Sequence, residues 1–148
     1  MVGTSSGGYA GDLSPMEAWE RLAGHPRATL VDVRTRAEWT YVGVPVLADL
    51  GKEAVFLEWQ SFPSGAPVPD FVPALSAALA AAGRTPDDPV LFICRSGGRS
   101  RAAAIAATAA GFREAYNVAE GFEGPLDEEG HRGMLGGWKA AGLPWAQS

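Results

Sequence analysis

The chain has 148 residues, of which 47% are hydrophobic and 20% are charged, a size and composition typical of one globular domain with its own core. Its net charge of −5 argues against a nucleic-acid-binding protein, because such proteins bind largely by neutralising phosphates. No apolar run approaches the ~18 residues of a membrane span. Residues 1–13 have neither the basic nor the apolar region of a signal peptide, so we expect a flexible polar lead and a cytoplasmic protein.

The only cysteine of the chain, Cys94, restricts the chemistry further. One cysteine excludes an intrachain disulfide, a Cys-x-x-Cys redox pair and a multi-cysteine zinc site. The two histidines, His25 and His131, lie far apart without the spacing of metal ligands. We therefore expect no metal, no cofactor and a compartment that keeps thiols reduced. Any covalent intermediate on Cys94 must be resolved by a group from outside the chain.

Segments typical of helices and strands alternate along the chain, which predicts an α/β fold with a parallel sheet. Ser14–Glu17 and Thr35–Glu38 are capping boxes, which predict helices that end near Gly24 and Gly43. Between them, the β-branched run from Thr29 to Val33 predicts a strand. The later predicted elements are a strand at 54–59, a Pro-rich loop at 61–69, a helix that Asp70 caps and that reaches Gly83, a strand at 89–93, an Ala-rich helix from about Ser100 to Gly111, a strand at 115–118 and a short helix around Trp138.

An acidic, glycine-rich insert at about 123–135 precedes the last predicted helix. There is no internal repeat and no linker long enough to divide domains, so we expect residues 14–148 to form a single domain. The sequence leaves open whether the insert passes over a site or lies on the surface.

The most informative segment runs from Val90 to Ala104. Here a strand leads to Cys94, and a glycine-containing loop and a helix follow. In open α/β sheets ligands bind beyond the carboxyl ends of the strands, where loop amides and a helix N-terminus stabilise a thiolate. Three of the 12 basic residues fall between Cys94 and Arg101, which indicates a small anionic substrate. Gly97 and Gly98 allow the tight turn that makes several amides converge.

The sequence CRSGGRS resembles the active-site loop of the rhodanese (sulfurtransferase) family, whose pattern is Cys-Arg-x-Gly-x-Arg or Thr. Upstream, LVDVRTRAEW is similar to the first signature of that family, and GGWKAAGLPW is similar to its closing segment. Together these segments cover Leu30 to Trp145 in the expected order. The residues that carry the resemblance are Cys94, Arg95, Gly97 and Arg99 in the loop, and Asp32, Arg34, Glu38 and Trp39 upstream.

The resemblance implies a three-layer α/β/α domain with a central, mostly parallel sheet. It also implies that a sulfane sulfur moves from an anionic donor such as thiosulfate to a thiol, a protein thiol or cyanide through a persulfide on Cys94. Arg95 and Arg99 would bind the donor, and backbone amides of residues 95–99 would hold the terminal sulfur. Nucleic acid and membrane are not expected partners. The predicted binding loop consists of Arg95, Ser96, Gly97, Gly98, Arg99 and Ser100, with Asp32 and Arg34 in supporting positions.

Several side chains have an expected role that is structural. Asp32 is expected to hydrogen-bond the nearby loop from the end of its strand. Arg34 and Glu38, four residues apart at a helix start, are expected to form an ion pair. Ser100 is expected to cap the following helix in preference to contacting the sulfur, and Arg101 is expected to be solvated. Trp59 with Phe62 could form an apolar lip for a protein acceptor.

Two other functions remain open from the sequence. A cysteine phosphatase needs an arginine six positions after its cysteine, where this chain has Ser100, and Arg101 could replace it only if the helix began late. A module that carries a persulfide or binds a partner, without turnover, would have the same loop. The family often continues its first signature with Gly-His-Ile, whereas this chain has Gly43-Val44-Pro45, so a different turn is expected there. The sequence indicates neither the physiological donor and acceptor nor the oligomeric state.

Overall fold

The computed structural model describes residues 8–60 and 68–147. Five strands form the central sheet in the order β1-β6-β5-β2-β4, and every neighbouring pair is parallel. A separate antiparallel ribbon pairs β3 with β7. The strands are β1 (Gly11–Leu13), β2 (Thr29–Asp32), β3 (Val44–Pro45), β4 (Val55–Phe56), β5 (Val90–Ile93), β6 (Ala115–Val118) and β7 (Trp145–Ala146).

Helices cover both faces of this sheet, as predicted. They are α1 (Pro15–Gly24), α2 (Arg36–Tyr41), α3 (Phe71–Ala81), α4 (Gly98–Ala109) and α5 (Gly137–Ala140), with a 3-10 turn at Ala48–Leu50. Both predicted capping boxes are present: Ser14 and Glu17 bond each other's backbone N–H at the start of α1, and Thr35 and Glu38 do so at the start of α2.

The apolar core is divided between the two faces because successive strand residues point to opposite sides. In β5, Val90 and Phe92 belong to the core under α3 and α4, whereas Leu91 and Ile93 belong to the core under α1 and α5. Trp138 of α5 is fully buried in the second core. The structure thus confirms the predicted three-layer fold and fixes β5, the strand before Cys94, at its centre.

The expectation that residues 1–13 form a flexible lead is wrong for the last three of them. Gly11–Leu13 form the edge strand β1, which pairs with β6 through Gly11–Tyr116, Asp12–Asn117 and Leu13–Val118, and Tyr9 is buried. Residues 1–7 lie outside the described part of the chain. A three-residue strand that contains a glycine and an aspartate has too few apolar positions for periodicity to reveal it.

Other boundaries differ from prediction. The strand expected at 54–59 is only Val55–Phe56, and residues 61–67 of the predicted Pro-rich loop lie outside the described residues. Asp70 precedes α3, but its side chain makes no capping hydrogen bond. Helix α4 begins at Gly98 rather than near Ser100. In the described ranges no helix is long and apolar enough to cross a membrane.

Candidate active site

Cys94 lies directly after β5, at the carboxyl edge of the sheet, and its thiol is almost fully buried at 1% exposure. The neighbouring strand β2 ends at the same edge with Asp32, which pairs with Ile93. Helix α4 begins four residues after Cys94. The strand, the loop and the helix therefore place the sulfur at the amino end of a twelve-residue helix, as the sequence predicted.

Two backbone amides and one hydroxyl contact the sulfur. The N–H groups of Gly97 and Ser100 donate to Cys94 Sγ at 3.2 and 3.3 Å, and Ser100 Oγ lies 3.2 Å from the same atom. The amides in the first turn of a helix have no partner within the helix, and the helix dipole adds positive potential there. These two amides stabilise negative charge on the sulfur.

Two glycines allow the loop to take this shape. Gly97 has φ of +112°, a conformation that side chains rarely adopt, and a Cβ there would collide with the carbonyl oxygen of Ala119. Gly121 has φ of +67°, and its Cβ would lie 2.6 Å from the carbonyl oxygens of Cys94 and Arg95. The loop and the segment after β6 therefore pack backbone against backbone.

Phe122 and the first two residues of the predicted insert hold the loop through backbone hydrogen bonds. The amide of Phe122 donates to the carbonyl of Cys94 at 2.7 Å, and the amides of Glu123 and Gly124 donate to the carbonyl of Arg95 at 2.9 and 3.2 Å. These bonds occupy carbonyls of the loop, while the amide of Gly97 is directed at the sulfur. Farther along, the insert exposes Leu126, Met134 and Leu135, so it has both an anchored base and a surface part.

Arg99 is held by Glu38 of α2. Its two terminal nitrogens donate to the two carboxylate oxygens at 2.6 and 2.9 Å. Burial alone would raise the pKa of Glu38, but hydrogen bonds from Arg99 and from the Thr35 amide, with the positive charge of Arg99, lower that pKa to about 2. The same carboxylate raises the pKa of Arg99 through its hydrogen bond, and the charge of Cys94 acts in the same direction.

Two expectations about these residues are wrong: Arg34 does not pair with Glu38, and among the described residues Asp32 bonds Arg34 rather than the loop after Cys94. Arg34 instead donates to Asp32 at 2.6 Å, and both side chains are completely buried. Arg34 also donates to the carbonyl of Gly43 and stacks on the ring of Phe122 at 4.2 Å. The pair thus supports the base of the site, because Phe122 is the residue whose amide holds the carbonyl of Cys94.

Comparisons with known proteins show the family of this chain. Residues 10–148 match the family described as STR4 middle domain. An uncharacterised protein of Rickettsia conorii is 36% identical over 137 residues, which cover 90% of this chain and 95% of that protein. Rhodanese-like domain-containing protein 4 of Arabidopsis thaliana, a chloroplast protein, is 30% identical over 135 residues, but these cover only 25% of that larger protein. The chain belongs to the STR4 middle domain family and is a rhodanese-like domain.

Solved structures share the fold of this chain. The crystal structure of Rv0390 from M. tuberculosis is 53% identical, with a TM-score of 0.83, and the match covers 95% of this chain and 99% of that one. The polysulfide-sulfur transferase homodimer of Wolinella succinogenes is 25% identical, with a TM-score of 0.57 and coverage of 93% and 78%. A rhodanese-like domain from Anabaena, at 20% identity and a TM-score of 0.58 with coverage of 93% and 79%, shares the fold.

In this rhodanese-like domain the remaining predicted loop residues differ in accessibility. Arg95, Ser96 and Gly98 are exposed, and Arg95 has no ion-pair partner in the described part of the chain. Ser100 is fully buried and does not cap α4, whose N-cap is Gly97. The expected cap fails because α4 begins two residues earlier than predicted, which turns the Ser100 side chain toward the sulfur.

The residues named for other roles make contacts of their own. Arg101 is exposed, as expected, and its guanidinium lies over the ring of Tyr9 at 5.7 Å. Trp59 is half-buried and packs edge-on against Phe71 of the core, with ring centroids 4.9 Å apart. Phe62, its expected partner in an apolar lip, lies outside the described residues.

Sequence reasoning missed two polar residues behind the site. Asn117 of β6, which is 3% exposed, accepts a hydrogen bond from Ser100 Oγ at 2.6 Å. It also donates to Asp12 of β1 at 3.1 Å. A signal was available, because an asparagine in the middle of a buried strand requires hydrogen-bond partners. The identity of those partners depends on β1, which the sequence did not reveal.

Proposed function

We propose that this protein is a sulfurtransferase that carries a sulfane sulfur on Cys94. The observation that supports this most strongly is the environment of Cys94 Sγ, which receives two backbone N–H groups at the start of α4 and lies beside the Arg99–Glu38 pair. Such a site stabilises an anionic sulfur nucleophile before attack and an anionic persulfide after it. The Wolinella relative, named as a polysulfide-sulfur transferase, supports the same class of chemistry.

The reaction has two half-reactions that share one covalent intermediate. The Cys94 thiolate attacks the outer sulfur of an anionic donor such as thiosulfate, a sulfur–sulfur bond forms, and the bond within the donor breaks. Sulfite leaves with the electron pair of that bond. An acceptor thiolate or cyanide then attacks the outer sulfur of the persulfide, forms a persulfide or thiocyanate, and returns Cys94 as the thiolate.

The donor binds through Arg95 and Arg99. Arg95 is exposed and has no acidic partner among the described residues, so its guanidinium receives the sulfonate end of the donor. Arg99 uses two of its five N–H groups on Glu38, and the others remain for the donor. Together the two arginines offset the like charges of thiolate and donor.

The acceptor is external because Cys94 is the only cysteine. The persulfide therefore persists until a small thiol, a protein thiol or cyanide arrives. Each cycle starts from a reduced cysteine, which agrees with the cytoplasmic location expected from the sequence. No arginine is available at the position that a phosphatase would use, since Ser100 is buried there and Arg101 lies against Tyr9.

Steady-state kinetics test this proposal. Rates measured over a grid of thiosulfate and cyanide concentrations should give the parallel double-reciprocal lines of a ping-pong mechanism, and Cys94→Ala should abolish turnover. Intersecting lines, or equal turnover by Cys94→Ala, would contradict a persulfide intermediate.

A wild-type protein that takes up sulfur but releases it to neither cyanide nor small thiols would instead be the carrier module. Hydrolysis of an aryl phosphate that is lost in Cys94→Ser would establish the phosphatase.

A further inference from the structure

A chain of hydrogen bonds leads from the active-site sulfur to the edge of the sheet. Ser100 Oγ lies 3.2 Å from Cys94 Sγ and donates to Asn117 Oδ1 at 2.6 Å. Asn117 Nδ2 then donates to Asp12 Oδ1 at 3.1 Å, and the Tyr9 hydroxyl donates to the same oxygen at 2.7 Å. The steps of sulfur transfer described above use neither Asn117 nor Asp12.

Asp12, at the end of the chain of hydrogen bonds farthest from the sulfur, determines which group donates in each bond. A carboxylate only accepts hydrogen bonds, so Asn117 turns its NH₂ group to Asp12 and its carbonyl oxygen to Ser100. Burial, with the hydrogen bond to Asp12, raises the pKa of Tyr9, so the Tyr9 hydroxyl keeps its proton and donates. An amide oxygen has no proton to give, and the proton between Ser100 and Asn117 therefore belongs to Ser100.

This assignment decides what Ser100 offers to the sulfur. A serine hydroxyl has one proton, and while Asn117 accepts it, Ser100 Oγ presents only lone pairs to Cys94. Lone pairs accept a hydrogen bond from a thiol S–H and repel a thiolate. To donate to the thiolate, the hydroxyl must rotate away from Asn117, which leaves a buried amide oxygen without a partner and costs free energy.

We propose that Asn117, oriented by Asp12, is a positioning residue that holds the Ser100 hydroxyl proton away from the sulfur of resting Cys94. A hydrogen bond from Ser100 to the attacking thiolate forms only when the hydroxyl turns from Asn117 to the sulfur. The amides of Gly97 and Ser100 already donate to the sulfur, so the orientation of the hydroxyl decides whether the nucleophile receives a third hydrogen bond. The inference deepens the proposed function, on which it rests, because the thiolate is the form that attacks the donor.

Other charged or titratable groups lie around Cys94 and its chain of hydrogen bonds. A substitution at Asn117 leaves all of them in place. They are Arg95 and Arg99 along the loop and α4, Glu38 on α2, the Asp32–Arg34 pair at the end of β2, Asp12 and Tyr9 at the end of the chain of hydrogen bonds, and Arg101 over Tyr9. Asn117→Leu keeps the branched shape of the side chain and alters no charge. A shift in the pH profile of this variant therefore reports a change in the orientation of the Ser100 hydroxyl.

The experiment is the pH dependence of Cys94 alkylation by iodoacetamide, followed by intact mass. It needs no sulfur donor, and Cys94 is the only thiol. The proteins are the wild type, Asn117→Leu, Ser100→Ala and the double variant.

Asn117→Leu should shift the midpoint of alkylation to lower pH by about one unit, which corresponds to a tenfold change. The same substitution should cause no shift in the Ser100→Ala background. Thr108→Val, which removes another hydroxyl of α4 that donates to a backbone carbonyl, should leave the profile unchanged.

An equal shift in both backgrounds, or no shift from Asn117→Leu, would overturn the inference. If Asn117→Leu does not fold, Asp12→Ala at the exposed edge takes its place. Asp12→Ala lets the Asn117 amide turn over and also removes a negative charge, so it should shift the profile to lower pH by more in the presence of Ser100 than in the Ser100→Ala background. An equal shift in the two backgrounds, or no shift, would overturn the inference. Thiosulfate loading of the same proteins keeps the two proposals separate: a protein that shows the alkylation pattern but gains no sulfur contradicts the proposed function alone.

Discussion

Arg99 and Glu38 form a two-pronged ion pair, with nitrogen–oxygen distances of 2.6 and 2.9 Å and about one-fifth of each side chain exposed. Glu38 is also the acidic residue of the capping box of α2 and accepts the amide of Thr35. One carboxylate therefore caps a helix and holds an arginine of the loop that follows Cys94. The helix start and the loop are coupled through this pair.

Glu38 should make stability depend on pH in the acid range. Its pKa falls from 4.5 to about 2 on folding, so its contribution is complete above about pH 4.5 and is lost as the pH falls toward 2. Each pKa unit corresponds to about 1.4 kcal/mol, so the loss is at most about 3.5 kcal/mol. Urea unfolding at pH 6 and pH 3 should show that Glu38→Gln destabilises the protein more at pH 6. A difference that is the same at both pH values would contradict this assignment.

The buried Asp32–Arg34 pair should be intolerant of losing one partner. Arg34→Met leaves an unpaired carboxylate that is completely buried, which costs about 3–5 kcal/mol. Arg27→Met is the matched control, because Arg27 pairs with Asp88 but is 47% exposed, and exposed pairs contribute about 1 kcal/mol or less. Free energies of unfolding in urea measure both. Equal losses in the two variants would show that the pair is not effectively buried.

Two adjacent glycines provide a direct test of the loop geometry. Gly97→Ala should lower the free energy of unfolding by at least about 2 kcal/mol, because the residue has positive φ and its Cβ would meet the carbonyl of Ala119. Gly98→Ala should have no such cost, because Gly98 does not have positive φ and a Cβ there meets open space. A tolerated Gly97→Ala would mean that the loop adopts another conformation in solution.

Arg95 should contribute to capture of the donor. Arg95→Ala should slow the second-order rate of sulfur uptake from thiosulfate by about tenfold, since a hydrogen bond to a charged group contributes about 1.5–3 kcal/mol and solvent reduces this at an exposed site. Arg113→Ala removes the same charge from an exposed pair with Asp87, next to the amino end of β6, and should not change that rate. Equal slowing of sulfur uptake by the two variants would indicate that Arg95 acts through the overall electrostatic field of the protein rather than through a contact with the donor.

Local sequence patterns predicted the parts of the fold that depend on neighbouring residues. Both capping boxes place their Ser or Thr and Glu three residues apart, so their bonds form within one turn. The strand–loop–helix unit around Cys94 was predicted because β5 is a continuous apolar run and the loop glycines follow it at once.

Partners from distant parts of the chain could not be predicted in the same way. Arg34 lies two residues from Asp32 and four from Glu38, and only the fold shows that Glu38 faces Arg99, 61 residues away. Asn117 finds Asp12 across 105 residues, through a strand held by backbone pairing that side-chain periodicity does not reveal. The role of Ser100 depended on a shift of two residues in the start of α4.

The most direct test of the account is the intact mass of the reduced protein before and after treatment with thiosulfate, with Cys94→Ser alongside. We expect the wild type alone to gain one sulfur atom and to lose it on addition of cyanide or a small thiol. A folded wild-type protein whose thiol reacts with iodoacetamide, but which gains no sulfur from thiosulfate, would contradict sulfur transfer through a Cys94 persulfide.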